Sequence, residues 1–223
     1  MGGNMDAQID KKSLDLRAAD WIRNTILSGG FALGQKLTEI ALAEQIGLSR
    51  STVRTAMQRL AGEGFLVQLP YTGWEVMSLS PEDAWELHTL RTSLEGMAAR
   101  LAAERIDNTG RQALTKAMER LRKAVAGPDP REIAEADLNM HKTVVSVANH
   151  RRLASLYTLV SGPTLLYILS TNRMMERPEA ILPEHEALTD AILAGDADLA
   201  ERLAKVHVDH HGRRLVADLE KRA

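Results

Sequence analysis

A chain of 223 residues, 44% of them hydrophobic, can bury one large core or two smaller ones. It contains no cysteine, which excludes a disulfide framework and any thiolate metal site. The net charge is -2, and residues 1–80 carry eight Lys+Arg against eight Asp+Glu, so any nucleic-acid surface must be a local basic face.

Residues 1–12 are short, polar and contain acids, and read as a tail rather than a signal or transit peptide. No apolar run approaches a membrane span, so the expectation is a cytoplasmic protein with no membrane partner. Ser13 can cap a helix through about Leu27, with Leu14, Ala18, Trp21, Ile22 and Ile26 as its buried stripe. Ser28-Gly29-Gly30 stops it, and a short connection leads to Thr38, the expected cap of a second helix. Gly47 suits the left-handed position that ends that helix, and Ser49 can cap a third.

On the third helix Val53, Ala56, Met57 and Leu60 share one arc at 100° per residue. Arg50, Ser51, Arg54, Thr55, Gln58 and Arg59 fill the opposite arc without an acid among them. One face packed inward and one basic face outward is the layout of a recognition helix offered to double-stranded operator DNA. After Gly64, Phe65–Leu69 and Trp74–Met77 read as two short strands around a Pro70–Gly73 turn. Following a helix-turn-helix, that is a wing, whose tip near Tyr71 to Gly73 would lie by the minor groove or backbone.

Ser80-Pro81-Glu82-Asp83 is a strong helix start, with a cap, Pro at the first helical position and an acid at the third. Helical periodicity then runs to Ala223, with breaks expected at 107–110, 127–130, 149–150, 161–163, 177–178, 183 and 195–196. That makes a bundle of roughly six helices with its own core. In the helix from about Glu132 to Ala148, Asp137 and His141 sit in the middle of an apolar stripe formed by Ile133, Met140, Val144, Val145 and Ala148. A buried carboxylate needs a partner. The i, i+4 spacing suits a hydrogen-bonded couple, and equally two ligands of one ion.

His185 shares an arc with Leu188 and Ile192, and His207 with Ala200, Leu203 and Ala204; His211, one turn on, is a possible substitute. One Asp and three His on three helices suit a divalent Zn, Ni, Mn, Fe or Co ion. Arg91 lies on the apolar arc of its helix with Leu87, Leu94, Ala98 and Ala102. It can pair with Glu95 at i+4 or clamp the carboxylate of a ligand.

These residues carry a resemblance. Ile26-Leu-Ser-Gly29, Gly34-Gln-Lys-Leu-Thr-Glu39, Leu42-Ala-Glu44, Ile46-Gly-Leu-Ser-Arg50, Val53-Arg54, Leu60 and Gly62-Glu-Gly64 resemble the GntR family of winged-helix regulators. Leu90-Arg91 with Leu94-Glu95, Asp137 with His141 and Asn149, Glu184-His185 with Ala191-Ile192 and Gly195-Asp196, and Ala200 with His207 resemble the FCD effector domain of its FadR-type subgroup. The resemblance implies a mostly α protein: a tail over 1–12, a winged helix-turn-helix over 13–79, and an all-helical effector-binding and dimerisation domain over 80–223.

It further implies a homodimeric repressor, not an enzyme, with DNA contacts at Lys36, Arg50, Arg54 and wing Gly73. It implies a divalent ion on Asp137, His141, His185 and His207, and a small carboxylate effector beside it with Arg91 assisting. Leu33 and Thr52 stand where the family usually has Pro, and Thr72 where a basic wing residue is common, which implies an altered operator preference and puts a basic wing contact in doubt. The alternatives are a metal-free effector pocket, a pure dimerisation domain, or a metal-dependent hydrolase. Against the last, His185-Glu186 lacks a second His at Thr189.

Overall fold

The computed structural model describes residues 13–70, 72–78, 80–172 and 177–222. The expected tail over 1–12 and the wing-tip residue Tyr71 lie outside them. The described chain forms two compact units: the residues up to Ala61 with Leu66–Val76, and Gly62–Phe65 with the residues from Met77 onward.

In the first unit, α1 (Leu14–Leu27) is followed by β1 (Lys36–Leu37), α2 (Glu39–Ile46), α3 (Arg50–Gly62), β2 (Leu66–Leu69) and β3 (Gly73–Val76). Local chemistry sets the boundaries. Thr38 accepts a bond from the Ala41 N–H (3.2 Å), and Gly47 ends α2 at φ 68°. Ser49 accepts from the Thr52 N–H at 3.2 Å to start α3. The strands form an antiparallel sheet in the order β1-β3-β2, with Lys36 opposite Glu75 and Leu37 opposite Trp74. The stretch before Thr38, read as a plain connection, thus supplies a third strand; two residues are too short for an alternation to show. Ile22, Leu42, Val53, Met57, Leu60 and Trp74 are buried between helices and sheet. Leu14 and Trp21, expected in the buried stripe of α1, are 51% and 36% exposed, and Ala19 and Leu27 are buried instead. Ser13 makes no side-chain cap bond to the helix.

The second unit comprises α4 (Pro81–Arg105), α5 (Asn108–Val125), α6 (Pro130–Val147), α7 (Arg151–Asn172), a 3-10 turn (Pro178–Ile181), α8 (Leu182–Ala194) and α9 (Ala197–Arg222). Ser80 and Asp83 close a reciprocal capping box at the start of α4. Asp107 and Asp129 cap α5 and α6, and Gly195 ends α8 at φ 76°.

The expected break at 161–163 does not occur, because α7 runs unbroken through Pro163. An internal proline costs roughly 3 kcal/mol. Here Val160 to Leu169 are all buried, and the Gly162 N–H is satisfied by the Glu63 carbonyl of the same unit (3.0 Å), so burial outweighs that cost. By length and composition α7 could cross a membrane, contrary to the reading that no run approaches a span, but 61% of its most apolar window is buried in the bundle.

α4 lies against α9, and buried Ala98 of α4 and Ala204 of α9 line one small cavity. Gly212 of α9 meets the buried ring of His88, which a Cβ at 212 would overlap. Gly212→Ala is therefore expected to destabilise the protein by about 1–3 kcal/mol, as overpacking does, in denaturant unfolding. Gly96→Ala, whose Cβ would meet only the flexible stem of Lys205, is expected to cost less.

A candidate DNA-reading face and a candidate metal centre

In the first unit Val53, Ala56, Met57 and Leu60 of α3 are buried, while Arg50, Ser51, Arg54, Thr55, Gln58 and Arg59 are exposed. Thr52, where proline is usual, places its hydroxyl 2.8 Å from that of Ser49, so the helix start is tied by side-chain bonds. Lys36 is exposed on β1, and Gly73 begins β3 at φ 104°, close enough that a Cβ would crowd the Leu37 carbonyl. Arg54 is not free. Its Nε donates to both oxygens of Glu39 (2.9 and 3.0 Å) and its Nη2 to Oε2 at 2.7 Å. The Arg54 bonds hold the Glu39 carboxyl below its ordinary range, opposed by partial burial and assisted by Trp74. The α3 arc has no acid in sequence, but folding brings one to it from α2.

In the second unit α6 contributes Asp137 and His141, α8 His185 and α9 His207, all four buried. One nitrogen or oxygen from each lies within 4.8 Å of the others. The Nε2 atoms of His141 and His185 stand 3.0 and 3.1 Å from Asp137 Oδ1. Each ring commits its other nitrogen outward: His185 Nδ1 donates to the Ile181 carbonyl (2.9 Å), and His141 Nδ1 to Glu95 Oε2 (2.6 Å). A neutral imidazole that donates at Nδ1 presents a lone pair at Nε2. Two such lone pairs would therefore face a carboxylate oxygen, an arrangement that needs either extra protons or a shared cation.

Contacts near 3 Å are also the edge lengths around an ion with bonds of about 2.0–2.2 Å. Three imidazoles, one carboxylate and outward Nδ1 bonds that fix the rings fit a borderline divalent ion.

The charges are strongly coupled. Burial alone would raise the Asp137 carboxyl, but His185 and His141 outweigh it and hold it well below the usual range. Burial would lower His141, yet Glu95 and Asp137 push it up to about 9. His207 is pushed down to about 3, first by burial and then by neighbouring His185.

Arg91 makes the intrahelical pair, Nε to Glu95 Oε1 at 2.8 Å, and also lines a small cavity of about 20 Å³, the room of about one water molecule, with Asp137, His141, Tyr167, Asn172 and His207. Glu95 is the hub: it also accepts from the Tyr157 hydroxyl at 2.9 Å, so it joins Arg91 to the His141 ring. The Tyr167 hydroxyl and the Asn172 side-chain nitrogen are buried and have no hydrogen-bond partner among the described residues. An unpartnered buried polar group costs about 1–3 kcal/mol, which a ligand in the cavity could recover. Glu95 and Glu184 stand out in the sequence only beside Arg91 and His185 in the resemblance, and Tyr157, Tyr167 and Asn172 carry no signal of a site, because contacts between helices have no period along the chain.

A winged helix-turn-helix with a separate helical bundle around a polar cavity defines the class of DNA-binding transcriptional regulators. Residues 14–76 match the family described as bacterial regulatory proteins, gntR family, and residues 86–210 match the FCD domain. The chain belongs to the GntR family, in the branch that carries an FCD domain, and is a transcriptional regulator of that family. It is 27% identical over 218 residues to an uncharacterized HTH-type transcriptional regulator of Bacillus subtilis, covering 97% of each chain. It is 28% identical over 207 residues to a probable D-xylose utilization operon transcriptional repressor of Paenarthrobacter nicotinovorans, covering 92% of this chain and 91% of that one. The crystal structure of a putative GntR regulator from Rhodococcus superposes with a TM-score of 0.73 at 23% identity, over 92% of this chain and 99% of that one.

Proposed function

We propose that this regulator is a repressor that binds a near-palindromic operator as a homodimer and is controlled by a small carboxylate sensed beside a divalent ion in the helical unit. Two copies of α3 would enter successive major grooves, with Arg50, Ser51, Arg54, Thr55 and Gln58 at base edges or phosphates. Lys36 and the backbone at Gly73 would contact the DNA backbone. Leu90 and Met97, seven residues apart on one face of α4, remain exposed and offer apolar surface to a second copy. The relative named a repressor supports the sign of regulation. No turnover is assigned to the helical unit.

The observation that carries the sensing role is the convergence of Asp137, His141, His185 and His207 on one point, with three of them, Asp137, His141 and His207, lining a cavity beside Arg91, Tyr167 and Asn172. When bound, the ion would supply Lewis-acid positions for a carboxylate. Arg91 would clamp that carboxylate, and Tyr167 and Asn172 would orient the rest of the ligand. Signalling requires that the acid bind the DNA-competent and incompetent arrangements unequally.

The test is a thermal-shift screen of small mono- and dicarboxylates against ion-loaded protein. Stabilisation by an acid is expected in wild type and weakened in Tyr167→Phe. Removing an unpartnered hydroxyl costs the ligand-free fold nothing, so its Tm should be unchanged or higher. An acid that stabilises Tyr167→Phe as well as wild type removes the hydroxyl from the ligand site. Equal stabilisation with and without ion would favour a metal-free pocket, a reading that the hydrogen-bond lengths around Asp137 also allow.

A further inference from the structure

A second group of donors stands beside the buried four. Glu184, in the first turn of α8, accepts from two rings of α9: its Oε2 lies 2.7 Å from His207 Nδ1 and 3.0 Å from His211 Nε2. His210 Nδ1 lies 3.5 Å from the other oxygen. One ligand atom from each of Glu184, His207 and His211 falls within 4.8 Å of the others. His207 belongs to both groups, and both His207 and His211 line the cavity.

Exposure is graded along this row of side chains. His210 is 63% exposed, Glu184 37%, His211 16% and His207 9%, ahead of Asp137 at 7% and His185 at 1%. Glu184 stands near the mouth of the row with one oxygen between the rings of His207 and His211. Spacing of i, i+4 on α9 puts His207 and His211 over one point, and Glu184 faces that point from α8.

We propose that Glu184, His207 and His211 form a second, shallower divalent-cation site that captures an ion from solvent and passes it, through the shared His207, to the buried cluster. This rests on the reading that the buried four bind an ion. The shared ring makes the two sites alternate. In the shallow site the His207 Nδ1 lone pair would meet the ion and Nε2 would carry the proton. In the deep site Nε2 would meet the ion, and Nδ1–H would donate to Glu184, the hydrogen bond that the structure contains. An imidazole cannot serve both in its neutral form, so the equilibrium stoichiometry is one ion per chain. The ring proton changes nitrogen by exchange with water. His210 acts at the rim.

The test is uptake of Co²⁺ by chelator-stripped full-length protein, followed by stopped-flow visible absorption, with endpoint stoichiometry measured by elemental analysis. Wild type is expected to load in two phases and finish at one ion. In the Glu184→Gln, His211→Ala double variant the fast phase should vanish and loading slow by about tenfold or more, the scale on which a local charge raises an encounter rate, with the endpoint unchanged. Asp137→Ala should keep the fast, weak phase, and adding His211→Ala should remove it.

Double-variant loading at the wild-type rate would overturn the capture site while leaving the deep site standing. Absence of any uptake by wild type would overturn the deep site itself. If Glu184 served only to hold the His207 ring, the variants would change the dissociation rate and the endpoint affinity but not the rate of uptake, which would also overturn the proposal.

Discussion

Arg54→Ala is expected to abolish specific operator binding while the protein stays folded. Arg54 is exposed on α3, so its loss should leave secondary structure and elution volume unchanged by circular dichroism and gel filtration. Each lost bidentate contact to a guanine costs about 1–3 kcal/mol, and a two-fold operator counts it twice, so Kd should rise by at least about 30-fold. Glu39 makes the loss deeper. In wild type its charge is matched by the guanidinium, whereas in the variant a bare carboxylate would stand on the face proposed to meet DNA. Glu39→Gln in the Arg54→Ala background should therefore recover part of the binding, chiefly its sequence-independent and salt-sensitive part. Fluorescence anisotropy with a fragment enriched by in vitro selection would measure both. Wild-type affinity in Arg54→Ala would refute the assigned face.

Elemental mass spectrometry of protein prepared without a nickel column or chelator should find about one divalent ion per chain in wild type, and far less in Asp137→Ala. An ion present at 100 times its Kd stabilises the native state by about 2.7 kcal/mol. For a chain of this size that corresponds to a fall of roughly 5–10 °C in Tm on chelation. Chelator should move Asp137→Ala far less, since only the weaker shallow site would remain in it. An absence of ion from both proteins would remove the metal centre, leave the DNA-reading face standing, and turn attention to Arg91, Tyr167 and Asn172 as a pocket that works without an ion.

The features legible in the sequence are those with a local cause. Thr38, Gly47, Ser49, Ser80 and Gly195 act within one helical turn, so their positions predict element ends directly. Asp137 and His141 stand out because a charged pair interrupts an apolar stripe, and the periodicity alone puts both on the buried side of α6. Pro163 misleads for the opposite reason: its local penalty is real, but it is outweighed by burial from helices far away in sequence. Trp21 has the right spacing for a core position yet lies at the edge of the buried face of α1, where it meets the ring of Phe31 edge-on at 6.0 Å. Glu39 on Arg54, and Glu95 on Tyr157 and His141, come together from different helices, where no periodicity registers. The sequence thus shows the exposed arc of α3 without the acid that folding brings to Arg54, and the buried cluster of four donors without the groups that bond their outer nitrogens.

The donor set around Asp137 is made only of imidazole nitrogen and carboxylate oxygen, in a chain with no sulfhydryl group. Peroxides and disulfides have no thiol to attack there, and soft ions such as Cu(I) find none of the thiolates they prefer. Thiol oxidation, disulfide exchange and thiolate capture of soft metals are therefore closed to this protein as signals. A promoter under it would have to be switched through imidazole and carboxylate chemistry.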